Sequence, residues 1–178
     1  MSARTLPTLP SFGTLSVATS AELNAICTYQ AFWANPPMFQ MYQNTVQSIP
    51  TSTFTQITMD TPVWDTDTGR ALTTPFSYVI PFYGRWEFKF GASDSINSAG
   101  SRISALYKNG VAVTPSQTTE PTSSTITIDM TGRPVTVLCN IGDVMGVYGW
   151  QSSGGALNTD TGAGASYFEG KLVSLASP

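Results

Sequence analysis

Histidine is absent from this 178-residue chain. That removes Ser-His-Asp chemistry, imidazole general acid–base catalysis and the commonest zinc ligand together. Charge is also scarce. Eight Lys and Arg stand against eleven Asp and Glu, 11% of the chain, where an average soluble domain carries about 25%. The eight basic residues are scattered singly from Arg4 to Lys171, so the clustered cations that nucleic-acid binding requires are missing. Cys27 and Cys139 are the two cysteines, too far apart for a CxxC zinc or redox motif. Cys139 sits in the apolar run Pro-Val-Thr-Val-Leu-Cys and reads as a buried thiol. A disulfide between the two depends on a Cα separation that spacing does not supply. No run reaches 18 apolar residues, so no membrane-spanning helix is expected. The first 13 residues carry one Arg and no apolar h-region, unlike a secretory signal.

Ser and Thr fill the place of charge, 20 and 25 residues respectively. Together with 41% hydrophobic residues, they indicate an ordered, Thr-rich, all-β domain. Residues 1–18 cannot form a helix, because Pro7, Pro10 and Gly13 break it. Their apolar residues Leu6, Leu9, Phe12, Leu15 and Val17 recur every two or three positions, which suits an extended arm lying on another surface. Residues 19–34 hold the one helix signal. Thr19 and Glu22 fit a capping box, Leu23, Ile26 and Cys27 share a helical face, and Asn35-Pro36-Pro37 ends it. So short a helix must pack on the domain or on a partner chain.

From residue 38 onward the pattern is strand and turn. The candidate strands are 39–49, 53–59, 76–80, 84–91, 101–108, 125–130, 135–140, 143–151 and 166–174. Ile126, Ile128 and Met130 alternate with polar residues, and Trp86, Phe88 and Phe90 alternate with charged ones. Asn109-Gly110 is a strong hairpin signal. Such spacing predicts a sandwich, jelly roll or barrel. Residues 91–100 and 151–165 are polar loops, which can carry recognition but more often serve as solvated connectors or subunit-facing loops.

Little else suggests chemistry. Asp60, Asp65 and Asp67 lie within eight residues and are weak candidates for a Ca²⁺ site. Their spacing fits no EF-hand loop, and local turn and cap bonding explains them better. No local motif nominates a glycosidase carboxylate pair or a phosphate loop. Trp64, Trp150, Tyr148 and Tyr167 are the aromatics available to stack on sugars, although core packing accounts for most strand aromatics.

The stretch Ser77–Ser93, with Pro81, Gly84, Trp86 and Phe88, resembles a strand of C1q/TNF-type jelly rolls. The Asn109-Gly110 hairpin, Gly142-Asp143 with Gln151, and Phe168-x-Gly170-x-Leu172 are similar to later strands of that family. The resemblance covers residues 39–175. It implies an all-β, C1q/TNF-like sandwich of about ten strands (residues 39–178), preceded by an N-terminal anchoring arm and short helix (residues 1–38). Leu23-Asn24-Ala25, Asn35-Pro36-Pro37, Gln47-Ser48-Ile49-Pro50, Asp60-Thr61 and Asp65-Thr66-Asp67 resemble structural proteins of tailed phages infecting actinobacteria.

That second resemblance implies a non-enzymatic homotrimer without cofactor. It would be made in the host cytoplasm and carried on the virion exterior. Its partner would be the major capsid protein, bound through Leu6, Leu9, Phe12, Leu15, Leu23, Ile26 and Trp33. The alternative is a tail-associated module whose loops bind a receptor or glycan through Asn97, Trp150, Asn158 and Asp160. A secreted C1q-like lectin or signalling module is the third reading. Neither nucleic acid nor membrane is an expected partner.

Overall fold

The structure is a computed structural model, and it describes residues 4–13, 17–71, 73, 75–162 and 166–175. Among these are one helix and fourteen strands. The helix α1 (Ser20–Ala34) is followed by β1 (Met38–Tyr42), β2 (Ser48–Ile49), β3 (Thr55–Gln56), β4 (Thr61–Asp65), β5 (Tyr78–Val79), β6 (Gly84–Asp94) and β7 (Arg102–Lys108). Then come β8 (Val111–Ala112), β9 (Thr118–Glu120), β10 (Ile128–Thr131), β11 (Val135–Cys139), β12 (Val144–Gln151), β13 (Leu157–Asn158) and β14 (Tyr167–Leu175).

Two antiparallel sheets form the sandwich. The first runs β10-β6-β14-β1-β4, with β11 continuing the β10 edge along β6; the second runs β3-β12-β7-β8, with β5 on β12 and β9 on β7. A two-stranded pair, β2 with β13, completes the β structure. The central strand β6 alternates as the sequence predicts. Trp86, Phe88 and Phe90 are fully buried, while Arg85 and Lys89 face out. Phe39, Phe168, Leu172, Leu106, Met145 and Val147 meet these aromatics from both sheets.

Glycine marks the tightest packing. A Cβ on Gly170 would stand 2.5 Å from the Phe39 ring and 2.8 Å from that of Phe88, closer than any real contact. The Asn109-Gly110 hairpin forms as expected, with φ of 52° and 77°, the pair of positive values a tight β7–β8 turn requires.

Some expected strands differ. The single strand over 39–49 breaks into β1 and β2, because Gln43 is buried and the Asn44 N–H turns to the Asp60 carboxylate at 2.7 Å. The 53–59 strand shrinks to β3. The Asp-rich segment 60–67 contains strand β4, which takes Pro62 because it lies at the sheet edge. Ile126 is 63% exposed and precedes β10, so it does not join Met130 in the core. The 91–100 loop is shorter than expected, since β6 continues to Asp94. Within 151–165, Leu157 and Asn158 pair with Ile49 and Ser48. Both cysteines are free thiols, Cys27 exposed and Cys139 buried; burial pushes Cys139 up to about 12.

Candidate functional site

The helix forms where the sequence places it. The Thr19 hydroxyl accepts the Glu22 N–H at 3.3 Å, and the Glu22 carboxylate accepts the Thr19 N–H at 2.7 Å. These reciprocal bonds satisfy two orphan donors of the first turn. The helix is nevertheless almost unpartnered, for Phe32 is its one buried residue. Phe32 reaches the sandwich edge-on to Phe82, with ring centroids 5.8 Å apart. Trp33 is half-buried against the core. Leu23 is 53% exposed and Ile26 half-buried.

Arg4 fastens the arm to the sandwich. The Arg4 guanidinium donates from Nε to Asp67 Oδ1 at 2.9 Å and from Nη2 to Oδ2 at 2.6 Å, a two-pronged grip on a side chain with no exposed surface. Arg4 also donates to Thr66 Oγ1 at 3.2 Å and to the Asn35 carbonyl, and it lies 5.4 Å from the centre of the Phe32 ring. Burial alone would raise the Asp67 carboxyl, but the hydrogen bonds and charge of Arg4 hold it below its usual range. From this node the arm passes Thr28 and Ala31 of the helix. Leu6, Leu9 and Phe12 stay 41%, 59% and 49% exposed. Leu15 lies outside the described residues.

The three aspartates of segment 60–67 are committed to separate local tasks. Asp60 accepts from Asn44 N and Thr61 Oγ1, Asp65 accepts from Asp67 N and Arg70 N, and Asp67 holds Arg4. Burial raises the Tyr78 hydroxyl, and the neighbouring Asp65 and Asp67 charges raise it further. Among the described residues no group of three acids, Cys or His is arranged to hold a metal.

The polar loops meet at one end of the sandwich. Ser95 N–H donates to the Asn158 carbonyl at 2.9 Å, and Asp160 N–H to that of Ser93 at 2.9 Å. Beneath them Arg102 is fully buried. Its guanidinium donates to the Ala99, Ser101 and Asn97 carbonyls, and its Nε stands 3.5 Å from Asp94 Oδ2. Neither Asp94 oxygen has a hydrogen-bond donor. Burial therefore pushes this carboxyl up to about 6, against the pull of Arg102. The Asn97 side chain caps Ala99 N, and Asp160 bonds Thr161 N. Asn97, Asn158 and Asp160 thus share this end of the molecule. Trp150 belongs to β12 instead, with Phe54 6.3 Å away.

No protein-family model matches the chain, and no curated protein matches it in sequence. Solved structures do. A TNF-type Eiger structure from S. frugiperda superposes with a TM-score of 0.62 at 13% identity, covering 81% of this chain and 97% of that one. The globular domain of zebrafish complement 1qA gives 0.58 at 14% identity, covering 79% and 98%. Murine APRIL gives 0.55 at 9%, covering 77% and 98%. The fold is a C1q/TNF-like jelly roll.

Within this jelly roll the sequence motifs acquire physical reasons. Gly84 lies under the Ser174 carbonyl, 2.4 Å from where a Cβ would stand. Phe168 and Leu172 fill the core on either side of Gly170. The N-terminal motif residues converge as well, because Asn35, Thr66 and Asp67 all receive Arg4. The sequence reading missed Arg4. Its signal was that the N-terminal 37 residues contain one cation and one anion, Arg4 and Glu22.

Proposed function

We propose that this protein is a non-enzymatic structural component of a virion: a homotrimeric capsid decoration protein that docks on the major capsid protein through its N-terminal arm and helix and stabilises the shell. One observation carries the reading. Both charges of the first 37 residues are consumed internally, Arg4 on Asp67 and Glu22 on the Thr19 cap, while Leu6, Leu9, Phe12 and Leu23 stay exposed. A helix with one buried side chain does not persist on propensity alone. An apolar-studded arm and helix whose two charges are already paired suit a protein surface that covers them, and the sole Lys or Arg they carry, Arg4, is engaged on Asp67 rather than offered to a membrane or nucleic acid.

Stabilisation follows from mass action. A protein that binds only the assembled shell lowers the free energy of that state. Trimer formation rests on the C1q/TNF-like fold and on the large Thr-rich surface of the sheets.

The test is a full-length variant carrying Leu9→Asp, Phe12→Asp and Leu23→Asp, all at exposed positions. It should keep its fold and its trimeric mass by light scattering, yet fail to bind shells that lack the native protein. Retained binding would remove the arm and helix from the mechanism. Copy number against the major capsid protein then distinguishes location. Hundreds of copies per particle fit the capsid lattice, whereas a handful fit the tail-associated module.

A further inference from the structure

The outward face of the second sheet carries a feature that neither the core nor the proposed docking uses. Strand β12 turns Met145, Val147, Gly149 and Gln151 inward, and Gly146, Tyr148 and Trp150 outward. Tyr107 of β7 and Phe54, just before β3, stand on the same face, and all four aromatics are half-buried. They form one strip. Tyr107 and Tyr148 stack at 3.9 Å and 20°, Phe54 lies 5.9 Å from Tyr107, and Trp150 lies 6.3 Å from Phe54. Packing within the sandwich does not require these rings to be aromatic, because they point away from it.

A polar group is built into the strip. Gly146 pairs with Tyr107, and the missing side chain leaves a hollow. Gln56 fills it, so that a Cβ at Gly146 would stand 2.5 Å from Gln56 Nε2. The amide is fixed at both ends: Nε2 donates to Ser77 Oγ at 2.8 Å, and Oε1 accepts the Tyr148 hydroxyl at 3.2 Å. A carboxamide has two N–H donors and two acceptor lone pairs, so one of each is left over. No residue of the strip is charged, and Thr53 and Thr55 border it.

We infer that this strip is a binding platform for a neutral carbohydrate chain. A pyranose ring presents an apolar C–H face and a hydroxyl rim. The aromatic rings match the first, and the immobilised Gln56 amide with the tyrosine hydroxyls matches the second. An ionic ligand would find no countercharge here. The site is separate from the arm and helix, so it stands or falls independently of the virion reading.

The experiment is affinity electrophoresis of the full chain through gels containing a β-glucan, a mannan or an α-glucan, with alginate as the acidic comparison. At least one neutral polysaccharide should retard the protein, and alginate should not. Trp150→Ala and Phe54→Ala should each weaken that retention about tenfold, and Trp64→Ala on the other sheet should leave it unchanged. Three results overturn the inference: no retardation by any neutral polysaccharide, retention that survives Trp150→Ala, or a change in molar mass by light scattering for the Trp150 and Phe54 variants, which would make the strip an interface between copies.

Discussion

Arg4 and Asp67 are 63 residues apart in sequence, and their two-pronged contact is where the N-terminal arm, the end of the helix and the sandwich become one unit. Asp67 is wholly covered, so its charge depends on Arg4 for compensation.

Removing Arg4 should therefore cost more than a surface ion pair. Arg4→Ala leaves a buried carboxylate without its partner, and we expect a loss of about 2–4 kcal/mol in urea unfolding. Adding Asp67→Asn should recover most of it. A loss below about 0.5 kcal/mol, the scale of an exposed pair, would mean that the arm is not held by this contact.

The buried Asp94 gives an unusual pH response. Its folded value of about 6 lies above the ordinary carboxylate value of 3.8. Between these two limits the folded protein binds more protons than the unfolded one, so stability rises as pH falls from about 7 toward 4. The gain is on the order of 2–3 kcal/mol. Below that window the depressed carboxyls of Asp60, Asp67 and Asp143 reverse the trend, because their contribution is lost as pH falls through their folded values. Melting temperatures from pH 7.5 to 4.5 should climb in the native protein and stay flat in Asp94→Asn. A native profile that falls steadily over that range would contradict the assignment.

The helix should report its own stability. Thr19→Ala removes the cap at a cost of about 1 kcal/mol to the helix. Since Phe32 is its one buried residue, the loss should show as faster amide exchange across residues 20–28, while the sandwich melts at an unchanged temperature. A coupled drop in the sandwich melt would show that the first two turns of the helix support the core.

Alternation made the sandwich legible. Trp86, Phe88 and Phe90 could only face a core, and Asn109-Gly110 could only turn. The capping box at Thr19 and Glu22 was equally local. Strands β9 and β13 were not legible, because they span three and two residues and owe their existence to their neighbours β7 and β2 rather than to their own composition. Segment 60–67 was read as turn chemistry, which is right for the carboxylates and wrong for the backbone, since edge strand β4 tolerates Pro62. The aromatic strip was half visible. Trp150 and Tyr148 stood out by type, but Phe54 and Tyr107 join them only through register. The Arg4–Asp67 contact is a long-range pairing that no local pattern encodes.

The middle of the first sheet has a consequence for synthesis. Strand β14 sits between β6 and β1, with Met38 opposite Lys171 and Phe168 beside Phe90. As the ribosome delivers the chain from its amino end, β1 can pair with β4 and β6 with β10 and β11, but the edges of β1 and β6 that flank β14 must wait until that strand emerges. Pairings this distant in sequence close slowly, in milliseconds to seconds, and unpaired apolar strands associate with one another in the meantime. The yield of folded protein is thus set by how long nascent chains are kept apart, and a cut that removes β14 leaves an open seam through the core rather than a trimmed edge.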